Sequence, residues 1–242
     1  MKRLNISIFL LSIILIIACE NKIALQEKSE NNFMAKTQNN SKEIRYVAIG
    51  DSYTIGEGAL PHEAWPNVLA NHLRDNGVNI TLAANPSKTG WTSQQAIDFE
   101  LPVYRRSKPD FATLLIGVND YVQGVDKETF RKKFSFLIDG MLKELPSKEN
   151  LIIITIPDFF VTPAGKLFAN GKNISKKISE FNDVIKEESQ KRGLTVVDIF
   201  DLSKEMGKNK NLIAKDGLHP SADEYLLWEQ KIYPVALEIL KK

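Results

Sequence analysis

From Ile44 onward, short apolar runs alternate with longer segments of helical periodicity, and this alternation constrains the fold more than any other feature of the chain. Strands that alternate with helices are typical of a parallel sheet with helices on both faces. We therefore predict an α/β fold, a three-layer α/β/α sandwich with a five-stranded, mainly parallel sheet. The strands are predicted at residues 45–49, 79–83, 112–116, 151–156 and 195–199.

Four segments between and after the strands have the pattern of helices. Residues 127–145 place Phe130, Phe134 and other apolar residues three or four positions apart, which predicts one buried helix face. Ser221 and Glu224 have the spacing of a capping box, and they predict the start of the last helix. The remaining helices are predicted at residues 64–76, 175–192 and from Ser221 to about residue 240.

The N-terminus has the pattern of a signal peptide. Lys2 and Arg3 precede a mostly apolar run over residues 4–18, which is short for a membrane span of about 20 residues. The run ends in Ala18-Cys19, which resembles the bacterial lipobox, whose cysteine is lipidated and becomes the first residue of the mature chain. Cleavage near Ala18 in an ordinary secreted protein and an uncleaved anchor are the alternatives.

Three regions follow from these patterns. Residues 1–18 are predicted to be a lipoprotein signal peptide, with Cys19 as the lipidation site. Residues 19–43 are polar and lack periodicity, which predicts a flexible tether. Residues 44–242 are predicted to be the folded domain. The protein is accordingly expected outside the cytoplasm, in a bacterial cell envelope, anchored to a membrane by its N-terminal lipid.

The composition excludes several classes of partner. The 32 basic and 30 acidic residues are interspersed, so no clustered basic face indicates a nucleic-acid partner. The sequence has no HExxH, no CxxC and no cluster of cysteine and histidine, so no metal and no cofactor are expected. Nothing in the sequence indicates an oligomeric state.

Chemically capable side chains follow four of the predicted strands. Ligands bind outside the carboxyl ends of parallel strands, so these segments are expected to meet at one edge of the sheet. They are Gly50-Asp51-Ser52, the loop around Gly90, Gly117-Val118-Asn119-Asp120, and Asp216-Gly217-Leu218-His219.

These segments, in this order, resemble blocks I, II, III and V of the SGNH/GDSL hydrolase family. The resemblance extends over nearly the whole chain from residue 44 to residue 240. It implies a serine esterase in which Ser52 is the nucleophile and Asp216 and His219 complete a catalytic triad. It also implies an oxyanion hole formed by the backbone N–H groups of Ser52 and Gly90 and the side-chain amide of Asn119.

The residue types suit these roles. A serine hydroxyl needs a base to become a good nucleophile, and an imidazole near its neutral point can take and return the proton. A carboxylate three residues before His219 can fix the tautomer of the ring. Each residue also has a simpler interpretation: Ser52 as a helix cap, Asp216 in an Asx turn, and Gly90 and Asn119 as turn residues.

The predicted activity is cleavage of carboxylic esters, either small molecules or glycans, with short-chain or carbohydrate acyl esters favoured. Three alternatives remain open: a cell-envelope O-acyltransferase with the same triad, a lipoprotein that binds glycan or lipid without turnover, and a structural lipoprotein of the envelope. Residues 159–173 are interpreted as a lid, a wall of the acyl pocket or a plain connection.

Overall fold

The computed structural model describes residues 42–170 and 172–241. The predicted signal peptide, the lipidation site at Cys19 and nearly all of the predicted tether lie outside these residues. Residues Glu43–Lys242 form one compact unit. No helix in the described part of the chain is long and apolar enough to cross a membrane.

A five-stranded sheet lies at the centre of this unit, in the order β2-β1-β3-β4-β5. Every neighbouring pair is parallel, which confirms the predicted sheet. β3 and β4 are buried along their whole length, as expected for central strands covered on both faces. The strands are β1 (Ile44–Gly50), β2 (Ile80–Ala84), β3 (Phe111–Leu115), β4 (Leu151–Ile154) and β5 (Thr195–Val197).

Helices cover the sheet in two groups. The described α-helices are α1 (Ser52–Ile55), α2 (Trp65–Asp75), α3 (Ser93–Gln95), α4 (Leu101–Ser107), α5 (Val118–Val122), α6 (Lys127–Leu142), α7 (Pro163–Phe168), α8 (Ser175–Arg192), α9 (Phe200–Ser203) and α10 (Ala222–Leu240). α2 packs against α10, whereas α6 packs against both α4 and α8. The predicted three-layer sandwich is therefore confirmed.

The last two strands are shorter than predicted, because β4 ends at Ile154 and β5 ends at Val197. Beyond Ile154 the Thr155 N–H still donates to the Val197 carbonyl at 3.1 Å, and after this bond a side chain takes the place of the backbone ladder. The Thr155 hydroxyl accepts the N–H of Ile199 at 2.9 Å and donates to the Asp198 carboxylate at 2.9 Å. The chain thus leaves the sheet at a threonine that the apolar pattern cannot distinguish from a strand residue.

A helical stretch between β2 and β3 was not predicted. It consists of α3, a π-helical turn at Ala96–Glu100, and α4, with Pro102 in the first turn of α4. The stretch buries Glu100 beneath β1, where its Oε2 accepts the Gly50 N–H at 3.0 Å. Burial raises the pKa of Glu100 to about 8. A charged residue and a proline within the segment obscure its helical periodicity in the sequence.

The predicted capping box of α10 forms only in part. The Ser221 Oγ accepts the Glu224 N–H at 3.5 Å, as a cap requires. The Glu224 carboxylate does not reach back to Ser221, but accepts the indole N–H of Trp228 at 2.6 Å. Glu224 is fully buried, and this burial raises its pKa to about 7 although the Trp228 bond lowers it.

Candidate active site

Ser52 is the first residue of α1 and follows β1 after a single residue. The N-cap of α1 is Asp51, whose Oδ1 accepts the Tyr53 N–H at 3.0 Å. The interpretation of Ser52 as the helix cap is therefore wrong. The helix ends after one turn at Gly56, which has a φ of +86°. The end of β1, one helical turn and a left-handed glycine hold Ser52 in a tight turn, largely buried at the edge of the sheet.

Asp216 and His219 are in direct contact. His219 Nδ1 lies 2.6 Å from Asp216 Oδ2. The other carboxylate oxygen of Asp216 accepts the backbone N–H groups of Leu218 at 2.8 Å and His219 at 3.0 Å. Burial raises the pKa of Asp216, but the bonds from the His219 ring and from these two N–H groups outweigh it, so the pKa lies below its ordinary value. Asp216 therefore forms an Asx turn and contacts the His219 ring at the same time.

The loop that carries His219 packs against the loop that begins at Ser52. The rings of Tyr53 and His219 have centroids 5.3 Å apart. His219 Nε2 lies 3.9 Å from Glu57 Oε2, and the Glu57 N–H donates to the Ser52 carbonyl at 2.9 Å. The structure thus places the Asp216–His219 pair against the residues that immediately follow Ser52.

The segments that follow β1, β2 and β3 are joined by side-chain amides. Asn119 Nδ2 donates to the Trp91 carbonyl at 3.0 Å and to Asp51 Oδ2 at 3.3 Å. Gln123 Nε2 donates to the Gly90 carbonyl at 3.0 Å. Gly90 has a φ of +81°, and no atom lies within 4 Å of the place a β-carbon would occupy. Its backbone conformation is one that glycine adopts without strain, and its surroundings are open.

Asp51 and Asp120 hold these segments in place. Asp120 is buried and accepts the N–H of Ser93 at 2.7 Å and its hydroxyl at 2.6 Å. Burial raises the pKa of Asp51 to about 7. The hydrogen bonds from the Tyr53 N–H and the Asn119 amide oppose this rise, whereas repulsion from Asp120 adds to it. A pair of buried carboxyls therefore lies beneath the residues proposed to react.

Sequence reasoning missed Glu57, which lies five positions after Ser52 and between Gly56 and Gly58. Its side chain is about one-third exposed, and its Oε2 accepts a hydrogen bond from the Thr89 hydroxyl. The one signal in the sequence is a carboxylate flanked by two glycines close after the nucleophile motif. That signal is weak, because glycine and acidic residues are common in turns.

Glu57, Asp216 and His219 are also the residues best placed to hold a metal ion in the described part of the chain. One ligand atom from each lies within 4.8 Å of the others. Asp216 Oδ2 is already engaged by His219 Nδ1, however, so Glu57 and His219 Nε2 remain as direct ligands. Catalytic zinc sites usually have three protein ligands. The three residues are therefore better explained as an imidazole hydrogen-bonded to a carboxylate than as a site for a resident metal.

The segment after β4 borders the same loops. The Ala164 N–H at the start of α7 donates to the Gly217 carbonyl at 2.9 Å, which ties this segment to the loop between Asp216 and His219. A small hollow of about 210 Å³ lies between this segment and α5. It is lined by Tyr121, Val122, Phe159, Phe168, Ala169 and Ile174.

The protein is a three-layer α/β/α sandwich whose candidate reactive groups lie at the carboxyl edge of the sheet. The sequence model of the GDSL-like lipase/acylhydrolase family matches residues 48–226. The chain belongs to that family, as the motifs in the sequence predicted.

Individual proteins are similar over most of the chain. The uncharacterized protein YpmR of Bacillus subtilis (strain 168) is 22% identical over an alignment that covers 96% of each chain. The lipase/acylhydrolase of Enterococcus faecalis superposes with a TM-score of 0.65 and 21% identity, covering 83% of this chain and 97% of that one. A family 3 carbohydrate esterase of Clostridium thermocellum superposes with a TM-score of 0.62 and 22% identity, covering 83% and 98%. At these identities the structural likeness establishes the fold.

Proposed function

We propose that the protein is a serine esterase in which Ser52, His219 and Asp216 act as a catalytic triad. The observation that carries the proposal is the 2.6 Å contact between His219 Nδ1 and Asp216 Oδ2, beside the loop that begins at Ser52. With Nδ1 engaged by a carboxylate, the proton-accepting nitrogen of His219 is Nε2. Family membership and the position of Ser52 at the carboxyl end of β1 support the same assignment.

The reaction proceeds by acyl transfer in two steps. Ser52 Oγ attacks the ester carbonyl while His219 Nε2 takes its proton, and the same proton then passes to the leaving alcohol. Water activated by His219 attacks the acyl-enzyme and releases the acid. Asp216 remains ionised throughout and stabilises the imidazolium.

The oxyanion is stabilised by the backbone N–H groups of Ser52 and Gly90 and by the Asn119 amide. Donors already fixed in place cost no reorganisation when charge develops, and each contributes a few kcal/mol. Asn119 is oriented by the Trp91 carbonyl at 3.0 Å. Its second N–H reaches Asp51 at the longer distance of 3.3 Å, and this is the bond that the oxyanion replaces in the proposed mechanism.

Short-chain or carbohydrate acyl esters are the substrates we favour. The hollow between α5 and the segment after β4 has about 210 Å³, which is small compared with the roughly 300–1,000 Å³ of sites for drug-sized ligands. The carbohydrate esterase of Clostridium thermocellum has the same fold over 83% of this chain. The small hollow fits a short acyl group better than a long one, and the likeness to a carbohydrate esterase supports a carbohydrate ester.

The test uses soluble protein that begins at Lys36, assayed with p-nitrophenyl acetate, butyrate, octanoate and palmitate. We expect Ser52→Ala to lower kcat by at least about 10³-fold, and short chains to be preferred. Ser189→Ala is the matched control, because Ser189 is also buried but bonds within α8, and it should keep its activity. A folded protein with no Ser52-dependent turnover of any of these esters would contradict a general esterase and would favour a strict polysaccharide esterase, an acyltransferase or a binding lipoprotein.

We also propose that Cys19 is lipidated and anchors the protein to a membrane of a bacterial envelope. The support is the lysine–arginine start, the apolar run and the Ala18-Cys19 ending in the sequence. Cells that express the full chain should incorporate an alkynyl fatty acid into the protein, and Cys19→Ser should abolish the labelling. Labelling that persists in the variant would contradict the assignment.

A further inference from the structure

The backbone of Glu57 is held rigidly beside the proposed triad. Its N–H donates to the Ser52 carbonyl at 2.9 Å, and its own carbonyl accepts the Tyr225 hydroxyl at 2.9 Å. Gly56 and Gly58 on either side have φ angles of +86° and +95°. A β-carbon at Gly58 would lie 3.2 Å from His219 Cβ, so the turn packs directly on the histidine. The direction in which Glu57 projects is therefore fixed by the fold.

The carboxylate of Glu57 joins two of the loops that surround the site. The hydroxyl of Thr89, the residue before Gly90, donates to Glu57 Oε2. The same oxygen lies 3.9 Å from His219 Nε2, which is beyond hydrogen-bond length. Glu57 is thus close to the reactive nitrogen without engaging it, and about 37% of its side chain is exposed.

The position of Glu57 relative to the reaction assigns it to one side of the substrate. This step rests on the proposed function, in which His219 Nε2 protonates the leaving alcohol. The alcohol oxygen must then lie within hydrogen-bond reach of Nε2. Glu57 borders the same space, whereas Gly90 and Asn119 border the carbonyl oxygen. Glu57 therefore faces the alcohol part of the ester rather than its acyl part.

We propose that Glu57 and Thr89 form a subsite for the leaving alcohol, and that this subsite selects esters with a free hydroxyl on the carbon next to the ester oxygen. Partly acylated sugars and polyols have this arrangement. The neighbouring hydroxyl is about one hydrogen-bond length from the ester oxygen, so it reaches the Glu57 carboxylate when the ester oxygen reaches His219 Nε2. Alcohols that carry a phosphate or carboxylate at this position are repelled by the same charge.

The size of the effect follows from the kind of hydrogen bond. A bond between a hydroxyl and a charged acceptor in a partly buried site corresponds to about 10- to 100-fold in kcat/KM. The bond is absent when the alcohol has no second hydroxyl. The ratio of kcat/KM for two esters that differ only in that hydroxyl is therefore a direct measure of the subsite.

The experiment compares trans-2-hydroxycyclohexyl acetate with cyclohexyl acetate, using the soluble protein that begins at Lys36. For the wild type we expect the hydroxylated ester to be preferred by about 10-fold or more in kcat/KM. Glu57→Gln keeps the shape of the side chain but removes its negative charge, so the preference for the hydroxylated ester should fall several-fold. Glu57→Ala should bring it close to 1, and Thr89→Val, which removes only the hydroxyl that orients the carboxylate, should reduce it partially.

Glu43 supplies a matched control. Its Oε1 accepts the Thr81 hydroxyl at 2.6 Å, so it makes the same kind of glutamate–threonine bond just before β1, at the end of that strand remote from Ser52. Glu43→Gln should keep the wild-type preference. The melting temperature of each variant separates a loss of selectivity from a loss of folding.

Two results would overturn the subsite. One is a wild-type preference near 1, and the other is an unchanged preference in Glu57→Gln and Glu57→Ala. In either case, Ser52-dependent hydrolysis of both esters would leave the proposed function intact. If neither ester nor p-nitrophenyl acetate shows Ser52-dependent hydrolysis, the proposed function fails, and the subsite fails with it.

Discussion

At the scale of single residues, Asp216 illustrates how one side chain serves folding and chemistry together. One of its oxygens accepts two backbone N–H groups and shapes the loop, while the other contacts His219 Nδ1. A residue at this position must therefore present two acceptors in fixed directions. The sequence indicates the turn and the contact with His219 as separate roles of Asp216, but it does not show that one side chain can fill both.

Replacing Asp216 by asparagine should separate these two uses. The amide oxygen can still accept from the backbone, but the amide group can no longer act as a charged acceptor for His219 Nδ1. We expect kcat to fall by about 10²- to 10⁴-fold, with a small change in melting temperature. Asp98→Asn is the control, because Asp98 is exposed and bonds only to Gln94 in the same helical stretch. An Asp216→Asn enzyme with near-normal kcat would contradict the triad.

Asn119 offers a second test at this scale. Asn119→Ala removes the amide proposed to bind the oxyanion, and we expect kcat to fall by about 10²- to 10³-fold while KM changes much less. Asn76→Ala is a suitable control, since the Asn76 amide also donates to a backbone carbonyl, at the end of α2. A change confined to KM would assign Asn119 to substrate binding instead of the transition state.

At the scale of elements, periodicity predicts what is regular and misses what is not. The strands and long helices follow from apolar spacing, because each buries a continuous stripe or face. The stretch that includes the π-turn Ala96–Glu100 was missed because it buries a carboxyl, and Glu57 was missed because its role depends on a histidine 162 positions away. Contacts between distant loops depend on tertiary packing, which a single sequence does not specify.

One buried carboxylate connects α8 to α6, in addition to apolar contacts such as that between Phe130 and Phe181. Glu188 accepts hydrogen bonds from Arg131 at 2.9 Å, Ser135 at 2.8 Å, Lys191 at 2.6 Å and Arg192 at 2.9 Å. Burial raises the pKa of Glu188, but these bonds outweigh it and lower the pKa far below its ordinary value. The cluster connects α8 to α6 through Arg131 and Ser135.

Glu188→Gln should therefore lower the free energy of unfolding by about 2–4 kcal/mol, because two partly buried arginines lose their buried, charged partner. Urea unfolding measures the change. Glu180→Gln on the same helix is the control: Glu180 makes one exposed ion pair with Lys127, and its loss should cost less than about 1 kcal/mol. Equal effects of the two substitutions would show that the cluster contributes no more than a surface pair.

At the scale of the whole molecule, the site exists because the sheet is parallel. The carboxyl ends of β1, β2 and β3 lie at one edge, and this property makes the convergence of distant motifs predictable. The order of the strands does not predict that carboxyl groups are buried beneath that edge. Glu100 under β1 and Asp51 at its end are both buried, and burial raises the pKa of Glu100 to about 8 and that of Asp51 to about 7.

These buried carboxyls predict an unusual dependence of stability on pH. Glu100, Asp51 and Glu224 have folded-state pKa values of about 8, 7 and 7, above the roughly 4 of an unfolded carboxyl. Between the unfolded pKa and the folded pKa, each carboxyl holds a proton in the folded state that it has lost in the unfolded state. The stability that each group contributes is therefore fully present below about pH 4 and is lost as the pH rises to the folded pKa. Each such group contributes a decrease of about 1.4 kcal/mol per pH unit over that interval.

We therefore expect the free energy of unfolding, measured by urea at fixed salt, to fall as the pH rises from 5 to 8. Glu188 and Asp216 have lowered pKa values, so their contributions change only below the ordinary carboxyl range and do not offset this fall. Glu100→Gln keeps the size of the side chain but removes one titrating group, and it should make the slope shallower. If stability instead rises or stays constant from pH 5 to 8 in the wild type, the buried carboxyls are ionised in the folded protein and the layer beneath the site is held by charge.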